Sequence, residues 1–156
     1  MSSKTKNLII NIAIPLFVGA VSAFISRDGM QNFENIVKPP LSPPAILFPI
    51  VWTILFILMG IAAYLVSTSK SCSPSDENAL TVYYIQLAVN FFWSIFFFKF
   101  DLYLFSFFWL ILLWVLIIIT FILFRRISKT ASNLLIPYLL WVTFAGYLNL
   151  GIALLN

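Results

Sequence analysis

The chain is 156 residues long, 62 % hydrophobic and 18 % aromatic, with 9 % charged residues and a formal net charge of +4. Soluble domains average about 45–50 % apolar and about 25 % charged residues, so a chain this apolar does not cover a water-facing surface. With no histidine and a single cysteine, it also excludes His-based triads, His-ligated metals or haem, CxxC redox pairs and internal disulfides.

The charged residues leave five uncharged stretches, residues 7–26, 39–69, 78–98, 102–124 and 130–156. Each is long enough for the roughly 17–25 apolar residues of a bilayer-crossing helix. They predict an all-α membrane protein, a bundle of five transmembrane helices in one integral membrane domain covering 1–156. The spans fall at about 7–26, 45–66, 79–98, 102–124 and 131–155.

The first span follows Lys4 and Lys6 and ends near Val21-Ser22-Ala23, which also resembles a signal-peptidase site. Its apolar run exceeds the usual 7–15-residue signal core, and it carries the small residues Gly19, Ala20 and Ala23. It is therefore read as helix one. A polar connection runs from Arg27 to Pro44 and closes with Pro39-Pro40-Leu41-Ser42-Pro43-Pro44. Four prolines in six residues bar a helix and favour extended backbone, giving a stiff strap, a lid loop between helices one and two. Helix two carries Pro49 in its first turn, where a missing amide costs least. A Ser-rich loop holding Cys72 precedes helix three, and Lys99-Phe100-Asp101 turns tightly into helix four. Helix five has Pro137 inside it, which membrane helices tolerate when neighbours satisfy the freed carbonyl.

Lys4, Lys6, Lys70, Arg125, Arg126 and Lys129 lie on one side of this topology, and Arg27, Lys38 and Lys99 on the other. The positive-inside rule then puts the N-terminus in the cytoplasm. These cations flank apolar helices, so the net charge implies a bilayer and no nucleic acid. No charged residue lies mid-span, which disfavours ion-coupled transport.

The polar groups inside the spans are few and neutral. Gln86, Asn90 and Ser94 share one face of helix three, with Trp93 at its edge. Two readings stay open: hydrogen-bonded glue between helices, worth about 0.6 kcal/mol per contact, or a polar spot that orients a ligand in an apolar cavity. Trp52, Phe56, Met59 and Ala63 form a stripe on helix two, and Tyr138, Trp141, Ala145 and Leu148 another on helix five. Plain packing explains most such aromatics. A tryptophan deep in a bundle, however, requires a partner for its N–H or a flat ligand to stack on. Trp52, Trp93, Trp109, Trp114 and Trp141 all lie within spans.

Several motifs recur at fixed spacing. Lys38-Pro39-Pro40-Leu41-Ser42-Pro43-Pro44 is followed by Phe48-Pro49-Ile50-Val51-Trp52-Thr53 and Met59-Gly60. Then come Gln86-Leu87-Ala88-Val89-Asn90 with Trp93, and Pro137-Tyr138-Leu139-Leu140-Trp141 with Phe144-Ala145 and Tyr147-Leu148-Asn149. In order and spacing the chain closely resembles the translocator protein family, also called tryptophan-rich sensory proteins or peripheral benzodiazepine receptors. The resemblance implies a five-helix bundle, usually a homodimer, whose first long loop lids a cavity. It implies a membrane receptor or sensor that binds porphyrins, protoporphyrin IX or haem, with light-dependent porphyrin breakdown in certain bacterial members. The alternative is a carrier of tetrapyrroles, sterols or lipids. Drug and cholesterol binding also occur in the family.

Carried onto this chain, the resemblance and the stripes give a ligand site of Phe33, Pro43, Pro44 and Ile46 from the strap and Trp52 and Phe56 from helix two. Helix three adds Gln86, Asn90 and Trp93, and helix five adds Tyr138, Trp141, Ala145 and Leu148. Trp52 and Trp141 are the candidates for photochemistry, and neither a metal site nor an obligatory cofactor is expected. The resemblance to bacterial members implies a bacterial cell membrane. The chain departs from the family at Leu41, where many members have Trp, at Phe33 (often Tyr) and at Trp109 (often Asp). No basic residue follows Tyr147, so the proposed cholesterol pattern does not transfer.

Overall fold

The computed structural model describes residues 2–69 and 74–156, with the side chains of 74–76 excepted; Cys72 lies outside the described residues. The described chain is helical and without strands: α1 (Ser3–Asn32), α2 (Leu47–Ser67), α3 (Pro74–Ser94) running on into one π-helical turn (Ile95–Lys99), α4 (Tyr103–Ile127), α5 (Lys129–Leu134) and α6 (Ile136–Leu155). Five segments are long and apolar enough to cross a bilayer, α5 and α6 together making the fifth.

Three features differ from the sequence reading, besides the start of α3 at Pro74 where helix three was expected from about residue 79. First, α1 is 30 residues long and takes in Arg27–Asn32, which the composition suggested was loop. Nothing in that stretch forbids a helix, and the first proline of the strap is Pro39. Gly29 is required there because a Cβ would overlap the backbone carbonyl of Phe98 in the π-helical turn. Second, that turn adds a residue's width at the end of α3, and both Phe97 and Phe98 become buried. Third, the last span is not one continuous helix. Ser128 caps α5 by accepting from the Ala131 amide at 3.2 Å, and the helix then breaks at Leu135. Pro137 has no N–H to continue it and instead sits in the first turn of α6.

Pro15 is accommodated inside α1. The carbonyl it leaves without an i+4 amide is that of Asn11. Gly60 of α2 packs there, with the Asn11 oxygen only 2.6 Å from where a Gly60 Cβ would stand. A glycine at this point lets two backbones approach as membrane helices favour. Gly19 likewise faces the Phe56 ring of α2, so this small residue packs within its own bundle.

Around the bundle, α1 packs on α2 and α3, α4 on α3 and α6, and α5 on α2 and α4. The space between α2, α3 and α6 is filled by large side chains, among them Met59, Trp93 and Tyr138, all buried.

Candidate functional site

The helix-two stripe and the helix-three face meet. Trp52 stacks on Phe56, with ring centroids 5.6 Å apart, and tilts against Trp93 at 6.2 Å. From α6, Tyr138 meets Trp52 edge-on at 6.1 Å. Behind this aromatic group lies a neutral hydrogen-bonded row. The Asn90 amide donates to the Tyr138 hydroxyl at 2.7 Å, which donates in turn to the Gln86 side-chain oxygen at 2.8 Å. The Gln86 Nε2 is buried without a partner. Both readings of the polar face therefore have structural content: Gln86 and Asn90 join helices, and Asn90 also lines a cleft.

That cleft has a volume of about 80 Å³ and lies between α1, α2 and α3. Trp52, Phe56, Asn90 and Trp93 form one wall, and Val18, Gly19, Ser22, Ala23 and Met30 of α1 form the other. A second void of about 20 Å³ lies between Phe33, Phe48, Trp93, Ala145, Leu148 and Asn149. The predicted residues thus divide. Trp52, Phe56, Asn90 and Trp93 share the cleft against α1. Phe33, Ala145 and Leu148 share the smaller void. Trp141 stands behind Phe48, ring centroids 5.8 Å apart. Pro43 is half-buried and Pro44 exposed on the strap. Ile46, 69 % exposed, stands outside both spaces.

Sequence reasoning missed the α1 wall. Gly19, Ser22 and Ala23 offered only a small-residue signal, which reads equally as packing. Ser22 fixes the wall to α3 by donating to the Phe91 carbonyl at 3.1 Å.

The strap, residues 33–46, lies clamped onto α6. Asn156 pairs with the backbone of Val37 in both directions, accepting from its N–H at 3.1 Å and donating to its carbonyl at 2.8 Å. The Tyr147 hydroxyl donates to the Pro40 carbonyl at 2.7 Å, and Pro39 packs where Gly151 has no side chain. At its root Phe33 is buried among Phe48, Phe97 and Phe98. Leu41 sits at the crest with φ 67° and 84 % exposed.

The indole N–H groups separate the five tryptophans. Trp93 donates to Asn149 at 3.1 Å, Trp109 to the Val89 carbonyl at 2.8 Å and Trp114 to Thr143 at 2.9 Å. The Trp141 N–H is buried with no acceptor, and Trp52, on the cleft wall, donates to no group among the described residues. A buried donor without an acceptor carries an uncompensated desolvation cost of about 1–3 kcal/mol. A ligand acceptor would relieve it.

Comparison with known proteins agrees with this architecture. The Tryptophan-rich protein TspO of Chlorobaculum tepidum is 40 % identical over 157 aligned residues, covering 100 % of this chain and 99 % of the relative. The Tryptophan-rich sensory protein of Cereibacter sphaeroides is 32 % identical, covering 80 % of this chain and 76 % of its own length. The Translocator protein of Ovis aries is 32 % identical, covering 81 % and 75 %. With residues 11–155 matching the model of the TspO/MBR family, the chain belongs to that family of multi-pass integral membrane proteins.

Proposed function

We propose that the protein is a membrane receptor or sensor for porphyrins, taken up against Trp52 in the cleft between α1, α2 and α3. The observation that carries this reading is the Trp52 indole, which lies on the cleft wall and makes no hydrogen bond among the described residues, whereas Trp93, Trp109 and Trp114 each donate to an internal acceptor. It stands beside the Asn90 amide and the Tyr138 phenol, groups that orient an uncharged or weakly polar ring system in a dry site. A tetrapyrrole is far larger than an 80 Å³ cleft. Binding therefore requires α1 to move outward from α2 and α3, and on the α3 side the Ser22 and Ser26 hydroxyls hold it.

Titration of the detergent-solubilised protein with protoporphyrin IX, read by tryptophan quenching, tests this. Saturable quenching is expected. Haem should bind with comparable affinity, because a chain without histidine offers iron no axial imidazole. Absence of saturable quenching refutes the reading, and a large preference for haem refutes its metal-independent form. A carrier role is the alternative, and "Translocator protein" is a relative's name. Protoporphyrin flux into sealed vesicles separates carrier from receptor.

The cation bias supports an N-terminus facing the cytoplasm. In intact cells an impermeant thiol reagent should then leave Cys72 unlabelled, and prompt labelling would reverse the orientation.

A further inference from the structure

The aromatic wall of the cleft does not end at the cleft. Trp52 contacts Trp93 at 6.2 Å between centroids, Trp93 stacks on Phe97 at 5.5 Å, and Phe97 meets Tyr103 at 5.2 Å. A second, hydrogen-bonded link joins Trp93 to Tyr103. The Trp93 N–H donates to Asn149 Oδ1 at 3.1 Å, and Asn149 Nδ2 donates to the Tyr103 carbonyl at 2.7 Å. Tyr103 opens α4 beside the exposed loop that joins it to α3, and its hydroxyl donates to Asp101 Oδ1 at 3.0 Å. Asp101 holds a left-handed backbone at φ 53°, which turns the chain so that residues two apart pair in this way.

We propose that Trp52, Trp93 and Tyr103, with Asp101 as proton acceptor, form a one-electron relay that carries an oxidising equivalent from the cleft to the aqueous edge of the bundle. Its use under light rests on the porphyrin reading above; the relay itself does not. Electron tunnelling falls steeply with distance, so rings in contact pass an electron readily, and indoles and phenols are the side chains that lose one most easily. In the first step a photoexcited porphyrin takes one electron from Trp52, giving the porphyrin radical anion and the Trp52 radical cation. Trp93 then reduces Trp52. The partner of the Trp93 N–H is an amide oxygen, a very weak base, so oxidised Trp93 keeps its proton and remains a strong oxidant. Tyr103 reduces it, and as the electron leaves, the phenolic proton passes to the Asp101 carboxylate. A neutral tyrosyl radical and a carboxylic acid remain. The acid returns its proton to water. A thiol- or ascorbate-class reductant gives the tyrosyl oxygen a hydrogen atom, and dioxygen takes the extra electron from the porphyrin anion.

Tyr138 provides the contrast. It also touches Trp52, but its hydroxyl donates to the Gln86 amide, which accepts no proton. Among the described residues, Tyr103 is the tyrosine whose hydroxyl donates to a carboxylate.

The test uses the whole protein in detergent with no ligand. A laser flash photoionises tryptophan, and transient absorption follows the tryptophanyl and tyrosyl radicals. In the parent, part of the tryptophanyl signal should decay as a tyrosyl signal grows. Tyr103→Phe keeps the ring against Phe97 and should abolish that growth. Asp101→Asn keeps a residue that tolerates positive φ and should slow the growth and make it depend on buffer concentration. Trp93→Phe should leave Tyr103 uncoupled. Tyrosyl growth unchanged in either Tyr103→Phe or Asp101→Asn overturns the proposal. Because no porphyrin is present, failure of porphyrin binding leaves this result untouched.

Discussion

Replacing Gly29 with alanine should destabilise the protein more than any other single-methyl addition in the bundle. The new Cβ would overlap the Phe98 carbonyl, so α1 must separate from the π-helical turn or the turn must unwind. Overpacking usually costs about 1–3 kcal/mol, and less when a flexible side chain can yield. Here the groups that the Cβ meets are backbone, so the expected loss is at least about 3 kcal/mol. At roughly 2–4 °C per kcal/mol for a chain of this size, the melting temperature should fall by about 6–12 °C. Gly60→Ala should behave similarly, since it meets the Ile12 and Asn11 backbone. Gly146→Ala is the control: its Cβ would stand 3.6 Å from a Leu110 methyl, an ordinary contact, and its melting temperature should match the parent's. Thermal scans in one detergent check all three. A Gly29→Ala protein as stable as Gly146→Ala would contradict the packing described here.

Among side-chain truncations, removing Trp52 should have the largest effect on porphyrin binding. Removing an aromatic anchor commonly costs more than about 1 kcal/mol and often about 2. Since about 1.4 kcal/mol is tenfold, Trp52→Ala should weaken protoporphyrin affinity roughly five- to thirty-fold. Trp52→Phe retains much of the contact area while removing the indole, and Trp141→Phe does the same at the buried, unpartnered N–H. If these indoles donate electrons to the excited porphyrin, both phenylalanine variants should slow light-driven loss of protoporphyrin more than they weaken binding. Equal degradation rates in parent and both variants, at matched occupancy, would remove the photochemical role and leave the binding site standing.

The five spans were legible because charge is scarce and its positions divide the chain almost evenly. Their ends were less legible, for local reasons. The residues at 27–32 are polar but not helix-breaking, so composition suggested loop where hydrogen bonding and the Gly29 contact sustain helix. Pro137 was visible, but whether a membrane helix bends over a proline or stops before it depends on what surrounds the freed carbonyl. At the site, helical spacing brought Trp52 and Phe56 to one face and Asn90 and Trp93 to another, and the structure joins those faces at the cleft. The bond from Tyr138 to Gln86 spans 52 residues, and no spacing rule supplies it. The α1 wall escaped notice because Gly19 and Ala23 carry no chemistry of their own and matter only through the space they leave.

That space supplies the most direct test. Gly19 faces the Phe56 ring, so leucine there must fill the cleft or drive the ring into it. Ala20, one residue on, is exposed and lines neither space, and Ala20→Leu adds a comparable side chain on the outer face of the same helix. Protoporphyrin titrations of both variants and the parent, read by tryptophan quenching in one detergent, should show saturable binding lost in Gly19→Leu and retained in Ala20→Leu. Parent-like affinity in Gly19→Leu would place the porphyrin somewhere other than this cleft.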